Sequence, residues 1–235
     1  MNPIHIVMLP GLDGTGVLFR PVMKELPSYI HPIVVSYPPD KELGYKQLLP
    51  IVLKALPRDT PFVLLGESFG GPLSLQVAAT NPNGLRAVIL CASFISCPRN
   101  FIPTWAAGFV RELPFRAFPI IAQLKALLGA YSTNELRTLT KEALSLVQPR
   151  VLASRTREVI RVDVTSELTE IDCPILYIQG KHDLVVPSRN LDRIIRIKSN
   201  VQYVQIPAPH MVLQTQPKKA SNAISSFISK LDANK

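Results

Sequence analysis

The stretch Gly-Glu-Ser-Phe-Gly, residues 66–70, encloses Ser68 between two glycines and directly follows an apolar run. The pattern G-x-S-x-G is typical of a sharp strand-to-helix turn that presents a serine hydroxyl as a nucleophile. Glycine is expected at both ends because the strand and the helix approach too closely there to accommodate a Cβ atom. Ser68 is therefore the candidate nucleophile. The alternative is an ordinary tight turn that happens to contain a serine.

A base and an acid for this serine can be found further along the chain. A serine hydroxyl needs a neighbouring base at neutral pH, and histidine is the usual one. His210 directly follows the last apolar strand-like run, and Asp183 follows the run before it, where a carboxylate could fix the imidazole tautomer. The chain order Ser68, Asp183, His210 is the order expected after such a turn. These residues are the predicted catalytic triad, and His182 is interpreted as a neighbour of the acid.

Two backbone amides are expected to bind the oxyanion that forms when a serine attacks a carbonyl group. One is the amide of Phe69, directly after the nucleophile. The other is assigned to Leu12 in the glycine-rich stretch LPGLDGTG, residues 9–16, which can fold close to the serine. Taken alone, this stretch could suggest phosphate binding, but it lacks the full G-x-G-x-x-G pattern. Asp13 is interpreted as a turn residue, with a ligand-facing carboxylate as the alternative.

Six short apolar runs rich in Val and Ile alternate with segments of helical periodicity. Most of these runs do not alternate apolar and polar residues, which favours strands covered on both faces of a parallel sheet. The pattern predicts an α/β fold with a doubly wound, mostly parallel six-stranded sheet. Ligands bind such sheets beyond the carboxyl ends of the strands, where the predicted triad would meet. The runs are residues 4–10, 31–38, 61–66, 87–93, 174–180 and 201–207.

The alternation of strands and helices stops between residues 97 and 164, a segment with five prolines and short amphipathic stretches. A loop of that length without structure would be unusual in a compact domain. We therefore expect an α/β core formed by residues 1–96 and 165–235, with a helical cap insertion at 97–164. Four aromatic residues of the insertion are predicted to line an apolar pocket, unless they only anchor it to the core: Trp105, Phe109, Phe115 and Phe118.

The net charge of +9 is unevenly distributed, since Arg99 to Arg161 contains ten Lys or Arg and four Asp or Glu. An ordinary solvated basic face is the favoured interpretation, and an acidic acyl carrier is a partner that this charge could attract. Nucleic acid is not expected as a partner because no recognised basic motif accompanies the charge.

Three cysteines and four histidines show no disulfide framework and no metal-type spacing, so neither a metal nor a cofactor is expected. No window approaches the roughly 18 uninterrupted apolar residues of a membrane-spanning helix, so stable membrane insertion is not expected either. The first ten residues lack the features of a secretory signal. These observations favour a cytoplasmic location.

Four segments resemble small bacterial members of the α/β-hydrolase superfamily: LPGLDGTGVLF, LLGESFGG, GKHDLVVP and APHMVLQTQP. The first two also resemble the hydrolase-like part of phytyl ester synthases. The resemblance covers the whole chain except the insertion, and it implies a serine esterase with Ser68, Asp183 and His210 in the triad. It also implies a sheet that lacks the first antiparallel strands of many members. Leu12 after a single glycine resembles the subgroup associated with medium or longer acyl chains.

The residues and the resemblance together predict a serine hydrolase that cleaves small-molecule carboxylic esters through an acyl-enzyme, with apolar acyl groups of medium length. Two alternatives remain open. The first is an acyl thioesterase or acyltransferase that uses a CoA-linked or carrier-linked substrate. The second is a ligand-binding protein of the same fold without catalysis, which has no need of all three triad groups.

Overall fold

The computed structural model describes residues 3–99, 101–112 and 127–233. Its centre is a six-stranded, all-parallel sheet in the order β2-β1-β3-β4-β5-β6. The predicted α/β class with a parallel six-stranded sheet is thereby confirmed. The strands are β1 Ile4–Leu9, β2 Ile30–Val34, β3 Phe62–Glu67, β4 Leu85–Cys91, β5 Ile175–Gly180 and β6 Gln202–Ile206.

The described helices flank this sheet or belong to the segment between β4 and β5. Three short 3-10 helices span Val17–Phe19, Thr104–Phe109 and Gly129–Tyr131. The α-helices are α1 Arg20–Met23, α2 Tyr45–Ala55, α3 Gly70–Ala79, α4 Asn134–Ser145, α5 Pro149–Arg161, α6 Thr165–Glu170, α7 Arg189–Ile197, α8 Val212–Thr215 and α9 Pro217–Ala233. Within the described ranges, no helix combines the length and apolarity needed to cross a lipid bilayer.

The inner strands are continuous apolar runs because both faces of the sheet are covered. All six residues of β3 are buried. Successive side chains point to opposite faces, so Leu64 packs in the core beneath α2 and α3, while Val63 and Leu65 pack in the core beneath α9. The outer strands β2 and β6 are partly exposed, and Pro32 is tolerated in β2 because that strand lies at the edge of the sheet.

The two ends of the segment between β4 and β5 contact each other. Ser96 and Asp163 form an isolated antiparallel bridge, and the Val164 N–H donates to the Ile95 carbonyl at 2.8 Å. Between these points lie α4, α5 and two of the 3-10 helices. The division into a core and a cap at residues 97–164 stays a prediction, and residues 113–126 of it lie outside the described residues.

Candidate active site

Ser68 occupies the turn between β3 and α3 in a strained backbone conformation. Its φ angle is 49°, in the left-handed region that non-glycine residues rarely adopt. Three hydrogen bonds hold it there: the Ser68 N–H donates to the Cys91 carbonyl at 2.9 Å, and the Ser68 carbonyl accepts from Ser93 Oγ at 2.8 Å and the Gly71 N–H at 3.0 Å. Such strain costs about 1–3 kcal/mol and persists where the surroundings impose it. The turn therefore projects the Ser68 hydroxyl away from the sheet.

Steric crowding explains why glycine occupies positions 66 and 70 on either side of Ser68. A Cβ atom on Gly66 would lie 2.5 Å from the Gly70 carbonyl oxygen and 2.7 Å from Gly71 Cα. A Cβ atom on Gly70 would collide with the carbonyl oxygen of Leu9, at the end of β1. The close approach of strand and helix inferred from the sequence is thus present at both positions.

The structure brings the three predicted triad residues together. His210 Nε2 lies 3.0 Å from Ser68 Oγ, and His210 Nδ1 lies 2.8 Å from Asp183 Oδ2. The second carboxylate oxygen of Asp183 accepts the N–H groups of Val185 and Val186, each at 2.8 Å. Asp183 follows β5 and His210 follows β6, and the His210 side chain is 8% exposed. The histidine is therefore held between a hydroxyl and a fixed carboxylate.

Opposing effects act on the pKa of His210. Burial lowers this pKa, but the charge and hydrogen bond of Asp183, together with the charge of Glu67, raise it above the ordinary value. The raised pKa stabilises the imidazolium that forms when His210 accepts a proton, which suits a general base. His182, in contrast, is exposed and its ring stacks at 6.1 Å on Tyr131, so it is a neighbour of the acid without contact to Ser68 in the described residues.

The two amides assigned to the oxyanion belong to the loop after β1 and to the residue after Ser68. The Gly11–Gly14 loop is closed by a 3.0 Å hydrogen bond from the Gly14 N–H to the Gly11 carbonyl, and a Cβ atom on Gly11 would lie 3.8 Å from Ser68 Cβ. Phe69 is the residue directly before α3, and its buried ring stacks on Tyr45 at 4.5 Å. Within the described part of the chain, neither the Leu12 nor the Phe69 backbone N–H donates a hydrogen bond. Both amides are available to a ligand oxygen.

Arg155 is a residue near the site that the sequence analysis missed. It lies on α5 and is completely buried. Its Nη1 donates to the carbonyls of Leu12 at 3.0 Å and Asp13 at 2.7 Å, and its Nη2 donates to the Pro38 carbonyl at 3.0 Å. The guanidinium also lies over the Tyr37 ring at 5.4 Å. The insertion therefore binds the loop that carries one of the oxyanion amides.

A cavity of about 460 Å³ opens onto Ser68 and His210. Its wall is mainly aliphatic, with contributions from the 3-10 helix after β1, from α4 and α5, and from the residue after His210. Apolar side chains in this wall include Leu18, Leu127, Leu144, Leu152, Val159 and Met211. A cavity of this size and polarity can hold a small apolar group beside the serine.

The aromatic residues predicted for the pocket are placed differently. Trp105 and Phe109 do not line this cavity, and they are 70% and 73% exposed. The reason is the packing of the 3-10 helix Thr104–Phe109, which buries Ala107 and directs both rings outward. Phe115 and Phe118 lie outside the described residues.

Glu67 adds a carboxyl group to the cavity wall next to Ser68. It is buried and accepts a 2.9 Å hydrogen bond from Gln214 Nε2. Burial raises its pKa to about 7; the hydrogen bond from Gln214 and the charge of His210 oppose this rise, while Asp13 adds to it. Glu67 was not among the predicted site residues, although its place inside the G-x-S-x-G pattern is a signal for proximity to the nucleophile.

The Glu67→Gln variant is expected to shift the acid limb of the kcat/KM profile to lower pH. The charge of Glu67 raises the pKa of His210, and the general base acts only when its imidazole is neutral. Removing that charge lowers the pKa, so more of the histidine is neutral at acidic pH. A kcat/KM profile against pH measures the shift, with Glu170→Gln on the exposed side of α6 as the control. An acid limb that stays in place or moves to higher pH would contradict this coupling.

Known proteins show the same fold and related sequences. A family described as serine aminopeptidase S33, Hydrolase_4, matches residues 45–207, more than half of the chain. A pimeloyl-[acyl-carrier protein] methyl ester esterase of Proteus mirabilis is 26% identical over 202 residues, which are 79% of this chain and 77% of that protein. A pyrrolizixenacetamide deacetylase of Xenorhabdus hominickii is 23% identical over 201 residues, 80% of this chain and 74% of that one.

Solved structures agree on the fold. An esterase from Exiguobacterium antarcticum superposes with a TM-score of 0.83 at 16% identity, covering 97% of this chain and 92% of its own. A thermophilic esterase from Thermogutta terrifontis has a TM-score of 0.81 at 20% identity, covering 98% and 90%. The parallel sheet, the serine on its strand-to-helix turn and the match over residues 45–207 place this chain in the serine aminopeptidase S33 (Hydrolase_4) family of α/β-hydrolases.

Proposed function

We propose that this chain is a serine hydrolase that cleaves carboxylic esters of small molecules. The observation that carries the proposal is the position of His210, within hydrogen-bond distance of both Ser68 and Asp183. The esterases and the deacetylase among the similar proteins support hydrolysis of an acyl group as the general activity. Three free cysteines in the described residues fit the reducing cytoplasm that we propose as its location.

The proposed mechanism follows from the distances. His210 Nε2 takes the proton of Ser68 Oγ across 3.0 Å while the oxygen attacks the acyl carbonyl. The amides of Leu12 and Phe69 donate to the oxyanion of the tetrahedral intermediate. Asp183 stabilises the imidazolium, which then donates its proton to the leaving alcohol. Water, deprotonated by the same histidine, attacks the acyl-enzyme and releases the acid and Ser68.

The cavity supports an apolar acyl group as the preferred substrate part. Aliphatic side chains of α4 and α5 form much of its wall, and it ends at Ser68 and His210. An apolar acyl chain that enters the cavity is removed from water, and this favours binding by about 0.8 kcal/mol for each buried CH₂ group. We therefore propose that the substrates are esters of medium-length acyl chains. The aliphatic wall would bind the acyl chain, which is the role first predicted for the aromatic residues.

The proposal is tested with a fluorophosphonate probe and a panel of p-nitrophenyl esters of increasing acyl length. We expect one covalent adduct, located by peptide mass spectrometry on Ser68, and none in the Ser68→Ala variant. Turnover is expected to rise from acetate to medium-length chains and then to fall as the cavity is filled. A wild-type protein without an adduct and without turnover of any ester would contradict the proposal and favour a non-catalytic ligand-binding protein.

A thioesterase or acyltransferase is the second candidate. Two observations favour it: the basic character of residues 99–161, and the acyl-carrier-linked ester in the name of the Proteus mirabilis relative. The same panel extended with acyl-CoA and carrier-bound acyl thioesters, each with and without an alcohol acceptor, separates the candidates. Faster turnover of carrier-bound substrate that falls steeply with added salt would favour an acidic acyl carrier as the partner.

A further inference from the structure

Three aromatic side chains at the start of the segment between β4 and β5 point into solvent. Phe101, Trp105 and Phe109 are 69%, 70% and 73% exposed, and they recur every four residues. The rings of Trp105 and Phe109 meet edge to face, with centroids 5.9 Å apart. Ala107 on the other side of the same 3-10 helix is buried, so the helix packs through a small residue and exposes its large ones. Grouped exposed apolar side chains of this kind mark interaction sites.

The group lies beside the cavity. Pro98, three residues before Phe101, lines the cavity, and so does Val185. Leu184, directly before Val185, is 67% exposed. Arg99 donates through Nη2 to the Leu184 carbonyl, which joins the two stretches of chain. Phe101, Trp105, Phe109 and Leu184 are called the exposed apolar patch below.

The charge around the exposed apolar patch is positive. Arg99 lies on one side of it, and the exposed Arg111 follows its last aromatic residue. Arg157 on α5 donates through Nη1 to the Val110 carbonyl at 3.1 Å, which places a third guanidinium at the end of the patch, but its Nη2 is paired with Glu42 at 2.9 Å, so Arg99 and Arg111 are the arginines proposed for lipid contact. Residues 99–161 as a whole carry ten Lys or Arg and four Asp or Glu. A partner for this surface must therefore combine an apolar interior with negative charge.

We propose that the exposed apolar patch docks reversibly on an anionic lipid surface, with Trp105 and its neighbours in the interfacial layer and the adjacent arginines on the lipid phosphates. Tryptophan and phenylalanine with flanking basic residues are the side chains that suit this layer. Anionic lipid attracts basic residues within a Debye length of the surface. The four side chains of the patch are aromatic or aliphatic and highly exposed, so they match lipid better than the polar surface of an acidic protein. Docking there would bring the cavity next to a source of apolar esters.

The test uses Trp105, the only tryptophan of the chain, as its own reporter. The full-length Ser68→Ala variant is titrated with phosphatidylcholine vesicles and with mixed phosphatidylcholine and phosphatidylglycerol vesicles. We expect a shift of the emission to shorter wavelength and co-sedimentation with the mixed vesicles, with affinity about tenfold higher than for phosphatidylcholine alone. Because this variant lacks the proposed nucleophile, the outcome is independent of the proposed ester hydrolysis.

Variants locate the contact. The double variant Phe101→Ser/Phe109→Ser keeps Trp105 and is expected to bind mixed vesicles about tenfold more weakly, because two apolar side chains are lost. Arg111→Glu is expected to weaken binding to mixed vesicles only. Tyr203→Ser, which removes an aromatic side chain 57% exposed on the edge strand β6, is the control with unchanged binding. Thermal unfolding of each variant is compared with that of the parent protein.

Several results would overturn the proposal. One is an unchanged emission spectrum with both vesicle types. Another is equal affinity for neutral and anionic vesicles, or full binding by a folded Phe101→Ser/Phe109→Ser variant. An emission shift with an acidic acyl carrier protein and none with vesicles would assign the patch to a protein partner instead.

Discussion

The Ser68→Ala and His210→Gln variants are each expected to lower kcat for ester hydrolysis by about 10⁶-fold, the loss seen when a serine hydrolase loses its nucleophile or its base. The two groups are expected to act as one unit, since His210 Nε2 is 3.0 Å from Ser68 Oγ and removes its proton in the proposed mechanism. The double variant is therefore expected to lose no more activity than either single variant. Losses that multiply in the double variant would show that the two residues act independently.

Asp183→Asn is expected to lower kcat less, by about 10⁴-fold. The N–H groups of Val185 and Val186 hold one carboxylate oxygen, so the oxygen of an asparagine would occupy that place. Its NH₂ group would then face His210 Nδ1 and impose the wrong tautomer. Single-turnover kinetics with a p-nitrophenyl ester measure the acylation rate directly.

Matched substitutions separate this effect from general disturbance of the loops. His182→Gln changes an exposed histidine next to Asp183, and Asp172→Asn changes an exposed carboxylate before β5. Both are expected to retain activity within a few-fold, because neither side chain contacts the site in the described residues. A loss in either control that equals the loss in Asp183→Asn would contradict the specific role of the acid.

The proximity of the three predicted triad residues could be predicted because each of them follows a strand, and local sequence determines where these strands end. Parallel strands bring their carboxyl ends to one edge of the sheet, which explains why Ser68, Asp183 and His210 meet. Their lateral placement could not be predicted in the same way. Ser68 follows β3 and Asp183 follows β5, with β4 between them. His210 bridges this separation because the loop after β6 returns to the end of β5, where the His182 N–H donates to the Ala208 carbonyl at 2.9 Å.

The insertion was less predictable because no sheet determines where its helices lie. Contacts between residues far apart in the sequence hold it, such as the 2.9 Å hydrogen bond from Arg20 to Glu142 and the 3.1 Å bond from the Tyr45 N–H to Glu158. Large aromatic residues are usually buried, but Trp105 and Phe109, which were predicted to line the pocket, are exposed. The 3-10 helix Thr104–Phe109 packs on the protein through Ala107, and this packing leaves both aromatic rings exposed.

A signal for Arg155 was present in the sequence. It lies four residues after Val151 and four before Val159, so it shares the apolar face of α5. An arginine on such a face is rarely buried without hydrogen-bond partners, and here three backbone carbonyls accept from its two Nη groups, while its Nε has no partner among the described residues. The carbonyls belong to loops of the core, so sequence periodicity could reveal the anomaly without identifying the partners.

Arg155→Met is expected to lower kcat about 10²-fold with little change in KM. The guanidinium holds the carbonyls of Leu12 and Asp13, so its loss releases the loop that carries an oxyanion amide, and one lost oxyanion donor costs about 10²- to 10³-fold. Folding stability is also expected to fall, since a buried carbonyl left without a donor costs about 1–3 kcal/mol. The Arg155→Lys variant can restore a single donor group but lacks the planar fork, so partial recovery is expected.

Affinity for a trifluoromethyl ketone, which forms an oxyanion on Ser68, separates positioning from a purely structural role. We expect Arg155→Met to weaken this inhibitor by the same factor as kcat, while affinity for the product acid changes little. The matched control is Arg157→Met on the same helix, whose side chain is 26% exposed and pairs with Glu42 at 2.9 Å. Lower stability with unchanged kcat and inhibitor affinity would show that Arg155 stabilises the fold alone. A parallel loss of kcat and inhibitor binding in Arg155→Met, absent from Arg157→Met, would show that the insertion positions the oxyanion loop for catalysis.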